Sequence, residues 1–150
     1  MSSSSEGNGR LEGNGRLGNG GQRMNNMRLH QLILSVADEV EGQLGMWQLK
    51  SGERDLFVIT DETHNRMRIM MPIIEEEKLS EDDLRTILAA NFDRALDARY
   101  ALDRGELWSV FIHPLAELTD DQFLDGLKQV VRLVDNYGGS YASTDLFFGG

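Results

Sequence analysis

Residues 101–123 read ALDRGELWSVFIHPLAELTDDQF, and this stretch decides the fold. Asp103, Arg104, Gly105 and Glu106 supply a hairpin turn, so one strand enters it and residues 107–115, LWSVFIHPL, leave it as the next. Pro114 ends that strand, because proline has no N–H to give to a ladder. Thr119, with Gln122 three residues later, forms a capping box. It opens a helix with Phe123, Leu127, Val130, Val131 and Val134 on one face, which Gly138 and Gly139 stop. Strands, proline exit and capped helix make one unit.

The unit occurs a second time upstream. Residues 55–60, DLFVIT, and 66–74, RMRIMMPII, flank the polar turn 61–65, DETHN, and Met67, Ile69, Met71 and Ile73 share one side of the second strand. Pro72, the only other proline, is expected at the exit of that strand or on a sheet edge. Ser80 and Asp83 then cap a helix with Leu84, Ile87 and Leu88 inward. Its end is ambiguous: Leu84, Leu88, Phe92, Ala95 and Leu96 continue the helical spacing, while Leu96, Ala98, Tyr100 and Leu102 alternate as a strand does. The turn at 103–106 requires an incoming strand, so a strand is expected from about Ala95.

At the start of the ordered region, Leu29, Leu32, Ile33, Val36 and Val40 follow the period of a helix beginning near Asn25 and ended by Gly42 and Gly45. Trp47 and Leu49 mark a first strand. The element order is α-β-β-β-α-β-β-α, which predicts an α+β domain with an antiparallel sheet flanked by helices.

Residues 1–24 precede this domain, and 6–17 within them repeat EGNGRL in tandem. Such Gly-, Asn- and Ser-rich composition offers nothing to bury and predicts a flexible tail. The single domain spans 25–139. Residues 140–150 form a second tail whose Leu146, Phe147 and Phe148 are expected to dock on the domain or to pair with a sheet edge. The absence of cysteine excludes disulfides and thiolate metal sites. No signal peptide or run of about 20 apolar residues is present, so no membrane partner is expected and the cytoplasm is the default location.

The formal net charge is −10, and the first 28 residues carry four arginines against two glutamates, so the remainder is more acidic still. Such a surface repels phosphate backbones, and nucleic acid is not expected as a partner.

The two stretches 71–84, MPIIEEEKLSEDDL, and 101–123 carry a resemblance to the type III secretion chaperones of the CesT kind and to the YbjN-like proteins. It covers residues 27–137. The resemblance implies a small acidic protein that forms a homodimer and holds a segment of another polypeptide in extended form, with no substrate to turn over. A YbjN-like regulator without a secretion role has the same pattern.

Catalytic and cofactor signatures are missing. His30, His64 and His113 lack the short spacing of a helix-borne metal motif. Glu81, Asp82 and Asp83 lie in a first helical turn, where the helix dipole favours negative charge, and with Glu75, Glu76 and Glu77 they lack the spacing of a calcium loop. Ser143 and His113 could serve a hydrolase, yet no GxSxG elbow accompanies them. No enzyme, metal or cofactor is therefore expected; a small enzyme or metal-binding protein is the competing class.

The informative feature is apolar. Trp108, Val110 and Ile112 alternate with Leu107 and Phe111, and Phe57 and Ile59 alternate with Leu56 and Val58, so both faces of these strands carry large apolar side chains. A sheet with helices on one side ordinarily presents polar residues on the other. Leu107 and Phe111 are assigned to a symmetric dimer contact and Trp108, Val110 and Ile112 to the core; a shift of one residue exchanges the two sets. Trp47, Phe57, Ile59, Met67, Ile69 and Met71 are the candidate peptide-binding residues.

Overall fold

Both capping boxes are closed in the computed structural model of the protein, which describes residues 23–143. The Asp83 N–H donates to Ser80 Oγ at 3.0 Å and Asp83 Oδ2 accepts from the Ser80 N–H at 2.8 Å. Helix α2, Glu81–Asp93, follows. Thr119 and Gln122 exchange the same pair at 3.1 and 2.9 Å and open α3, Asp120–Asp135. Each box satisfies donors that a first helical turn leaves without partners. Asn25 caps α1, Asn26–Val36, by accepting from the Arg28 N–H.

Among the described residues six strands make one sheet: β1 Val40–Gln43, β2 Met46–Ser51, β3 Arg54–Asp61, β4 Arg66–Glu75, β5 Arg99–Asp103 and β6 Glu106–His113. Their spatial order is β1-β2-β3-β4-β6-β5, and every neighbouring pair is antiparallel. This is the expected α+β class, with one short edge strand more than the sequence pattern indicated. At the β5–β6 turn Arg104 and Gly105 both have positive φ, 51° and 80°, the backbone that a two-residue hairpin requires.

Three boundaries differ from expectation. Val40 continues the helical spacing, but Ala37 is already extended and Val40 pairs with Leu49 in β1. Gly42 and Gly45 shape the β1–β2 hairpin instead of ending a helix. At φ +101° Gly42 passes so close to β2 that a Cβ there would collide with the Met46 carbonyl oxygen. β5 begins at Arg99 rather than Ala95, because buried Gln129 on α3 holds the preceding loop: its Oε1 accepts from the N–H groups of Asp97 and Ala98 at 2.8 and 3.0 Å. Pro72 lies inside an internal strand, where it is tolerated because pairing with β3 stops at Phe57–Met70 and the β6 register shifts between Pro72 and Ile74.

Helices α1, α2 and α3 cover one face of the sheet. Leu29 and Ile33 of α1, Ile87 of α2, and Phe123, Val130 and Leu133 of α3 meet Trp47, Val58, Met67, Ile69, Met71, Leu107 and Phe111 in a continuous core. Met24 is buried too, and its N–H donates to the Ala116 carbonyl, so the domain begins before Asn25. The EGNGRL repeats and Leu146, Phe147 and Phe148 lie outside the described residues.

Candidate functional site

The side chains that alternate with this core point away from the helices and form three cross-strand rows. Met46, Ile59, Arg68 and Ile112 align across β2, β3, β4 and β6. Gln48, Phe57, Met70, Val110 and Arg99 make the second row. Pro72, Trp108 and Ala101 make the third. Phe57 and Trp108 meet edge to face at 6.3 Å, and the Trp108 Nε1–H donates to the Asp103 carbonyl at 3.0 Å, which fixes the indole across the sheet. Met46 and Ile112 are 55% and 54% exposed. Arg68 stands exposed between Ile59 and Ile112 and divides the apolar row. Lys50 and Asp55 close one margin with a cross-strand ion pair at 2.8 Å, and the hydrogen bond from Lys50 holds the Asp55 carboxyl below the usual carboxylate range.

The structure divides the expected site residues between the two faces. Phe57 and Ile59 lie on this open face, whereas Trp47, Met67, Ile69 and Met71 are buried beneath the helices and do not join it. Leu107 and Phe111 are also under the helices, so the faces of β6 are the reverse of the sequence assignment. Ser109, between Leu107 and Phe111 on the same side, is wholly buried with them, and its hydroxyl donates to the Val130 carbonyl at 2.9 Å. Met46, Met70 and Trp108 were not among the candidate binding residues; the signal for them was the apolar character of both alternating sets.

The groups weighed for catalysis are engaged separately. Ser143 Oγ accepts from the Leu96 N–H at 2.6 Å, and His113 Nδ1 contacts the carbonyl of Pro114 at 2.8 Å. His64 bonds Asp61 at 2.7 Å in the β3–β4 turn, which lowers the Asp61 pKa. Among the described residues no three His, Asp or Glu side chains are grouped to hold a metal ion. Nor is any helix among them long and apolar enough to cross a membrane.

No protein-family model matches the sequence, and no curated protein does. Solved structures do match. A chain of the ExsC–ExsE complex superposes with a TM-score of 0.58 at 14% identity, over 75% of this chain and 92% of the other. The Yersinia pestis type III secretion chaperone SycH, in complex with a stable fragment of YscM2, gives 0.56 at 16% identity, over 75% and 98%. The chain has the type III secretion chaperone fold. YbjN, a putative transcription regulator from E. coli, shares that fold at a TM-score of 0.53 and 15% identity, over 75% and 90%. At such identities the likeness is one of fold, which does not carry function with it.

Proposed function

We propose that the protein is a cytoplasmic, non-enzymatic, chaperone-like module that binds a segment of another polypeptide on the open face of its sheet. The observation that carries this reading is an apolar face with no helix over it, on which Met46 and Ile112 are exposed, Phe57, Ile59, Met70 and Trp108 half-buried and Val110 buried, since an antiparallel sheet covered on one side ordinarily turns polar residues to water on the other. Met46, Phe57 and Ile59 form the client half. Trp108, Val110 and Ile112, beyond Arg68, form the contact between two copies of a homodimer; a closed two-fold pairing hides such a strip most simply. The SycH and ExsC structures, each a complex with a second protein, support the polypeptide client. YbjN, a putative transcription regulator with the same fold, supports the alternative reading, a regulator with no secretion role.

The test is affinity capture from the native host with the wild type and with Ile59→Lys, followed by mass spectrometry. A polypeptide retained by the wild type and lost with a folded Ile59→Lys variant is the expected result. Equal capture by both removes the open face as the client site.

A further inference from the structure

A second apolar surface lies on the other side of the molecule. On α2, Leu84, Leu88 and Phe92 recur every four residues and so form one stripe along the helix. Leu88 and Phe92 are 70% and 88% exposed, and Leu96, just beyond the helix, is 39% exposed. The stripe borders a groove of about 280 Å³ between α2 and β5, with Leu102 on its far wall and Leu107 among its lining residues. None of these exposed side chains is needed to complete the core, and the open sheet face does not include them.

The chain itself ends its described course beside this stripe. After α3 it turns back, and Tyr137 and Tyr141 pack edge to face on Tyr100 at 6.2 and 6.1 Å. Ser143 is then pinned at the C-terminal end of α2: its N–H donates to the Arg94 carbonyl at 3.4 Å and its Oγ accepts from the Leu96 N–H at 2.6 Å. Residues 144–150, TDLFFGG, follow directly. Leu146 is three residues from this anchor and Phe148 five, which at roughly 3.3–3.6 Å per extended residue is about 10 and 17 Å of reach. Moving from Arg94 back to Leu84 along α2 covers about 15 Å at 1.5 Å per residue. The tether, the span and the apolar chemistry all agree.

We propose that Leu146, Phe147 and Phe148 dock in the α2–β5 groove and on its Leu88–Phe92 stripe, so that the chain covers this surface with its own C-terminal segment. The occupant is intramolecular, held at high effective concentration by the Ser143 anchor, and any partner of the groove must first displace it. This does not depend on what binds the open sheet face.

The full chain, labelled on Leu methyl and Phe ring positions, tests it by nuclear Overhauser contacts. Contacts from Phe147 and Phe148 to Leu88 and Leu102 are expected, independent of protein concentration. Leu88→Asp should abolish them while the circular dichroism stays that of the wild type, because Leu88 is exposed. Random-coil shifts for both phenylalanines would overturn the proposal. So would contacts that arise only between labelled and unlabelled copies in a mixed sample, which would assign the groove to a second molecule.

Discussion

The Asn91 side chain gives Tyr100 the two hydrogen bonds that a further strand would give it. Asn91 Nδ2 donates to the Tyr100 carbonyl at 3.0 Å, and Asn91 Oδ1 accepts from the Tyr100 N–H at 2.8 Å. β5 is a sheet edge, and an edge with free backbone groups is a template for unwanted pairing. The amide of a residue on α2 therefore both ties the helix to the sheet and blunts the edge. Asn91→Ala leaves both Tyr100 groups without that partner, and we expect a loss of about 1–3 kcal/mol in urea unfolding. Concentration-dependent association should rise with it, as read by light scattering. An unchanged midpoint would show that water replaces the amide at no cost.

α3 approaches the sheet closely at Gly126. A Cβ there would stand 2.8 Å from the Phe111 ring, closer than real contacts allow, so α3 lies flat on β6 only because this residue has no side chain. Gly126→Ala should cost about 1–3 kcal/mol by overpacking, despite the higher helix propensity of alanine. Phe111→Leu removes the ring, so the double variant should be more stable than the sum of the singles predicts, and a double-mutant cycle measures the difference.

The N-terminal margin can be tested by two truncations. Met24 is buried and hydrogen-bonded to Ala116, and Arg23 pairs with Glu117, whose carboxyl is held below its usual range chiefly by the Asn65 amide. Removing residues 1–24 should therefore lower stability by about 2–5 kcal/mol relative to removing 1–22, the cost of emptying a buried methionine site. Equal melting temperatures would place Met24 outside the core.

Local chemistry was legible in the sequence wherever a backbone group needs a particular side chain. The Ser80–Asp83 and Thr119–Gln122 boxes and the Asp103–Glu106 hairpin all stand where their residues put them. Two features were not legible. β1 was hidden because Val40 also fits the helical period from Val36, and only its pairing with Leu49 decides the matter. The face of β6 was hidden because apolar side chains occupy both alternating sets, so patterning carries no preference, and the one polar member, Ser109, is paid for by Val130 on a helix distant in sequence. Six of the eight candidate site residues therefore lie beneath the helices, although the strands carrying them were found.

Alkaline pH should loosen the domain through Tyr100. Its hydroxyl donates to the Leu133 carbonyl at 2.9 Å, and burial pushes its pKa above the ordinary value, with Tyr141 and Tyr137 adding to the shift. The folded state favours the protonated phenol. Its contribution is complete below the unfolded pKa of about 10 and is lost as pH rises from there towards the folded value, at up to about 1.4 kcal/mol per pH unit. Tyr137 is raised by burial as well and acts in the same direction. Tyr100→Phe should cost about 1 kcal/mol at neutral pH by losing the hydrogen bond, yet flatten the alkaline loss. Urea midpoints at pH 8 and pH 11 give both quantities; an equal alkaline loss in wild type and variant would assign it elsewhere.

The two faces of β6 are separated by adjacent residues. Phe111 is 5% exposed and lies against α3, while Ile112 is 54% exposed on the opposite side. Lysine at Phe111 puts an unpaired charge in the core, at a cost of several kcal/mol against the roughly 5–15 that hold a domain together, so this variant should lose its circular dichroism signal. Lysine at Ile112 meets solvent in the single chain and should leave the fold intact. If Trp108, Val110 and Ile112 form the contact between copies, the same charge is buried at that contact and light scattering should report a monomer. A folded Phe111→Lys with an unfolded Ile112→Lys would invert the faces. A folded Ile112→Lys that keeps the mass of a dimer would leave the faces as described but move the dimer contact off β6.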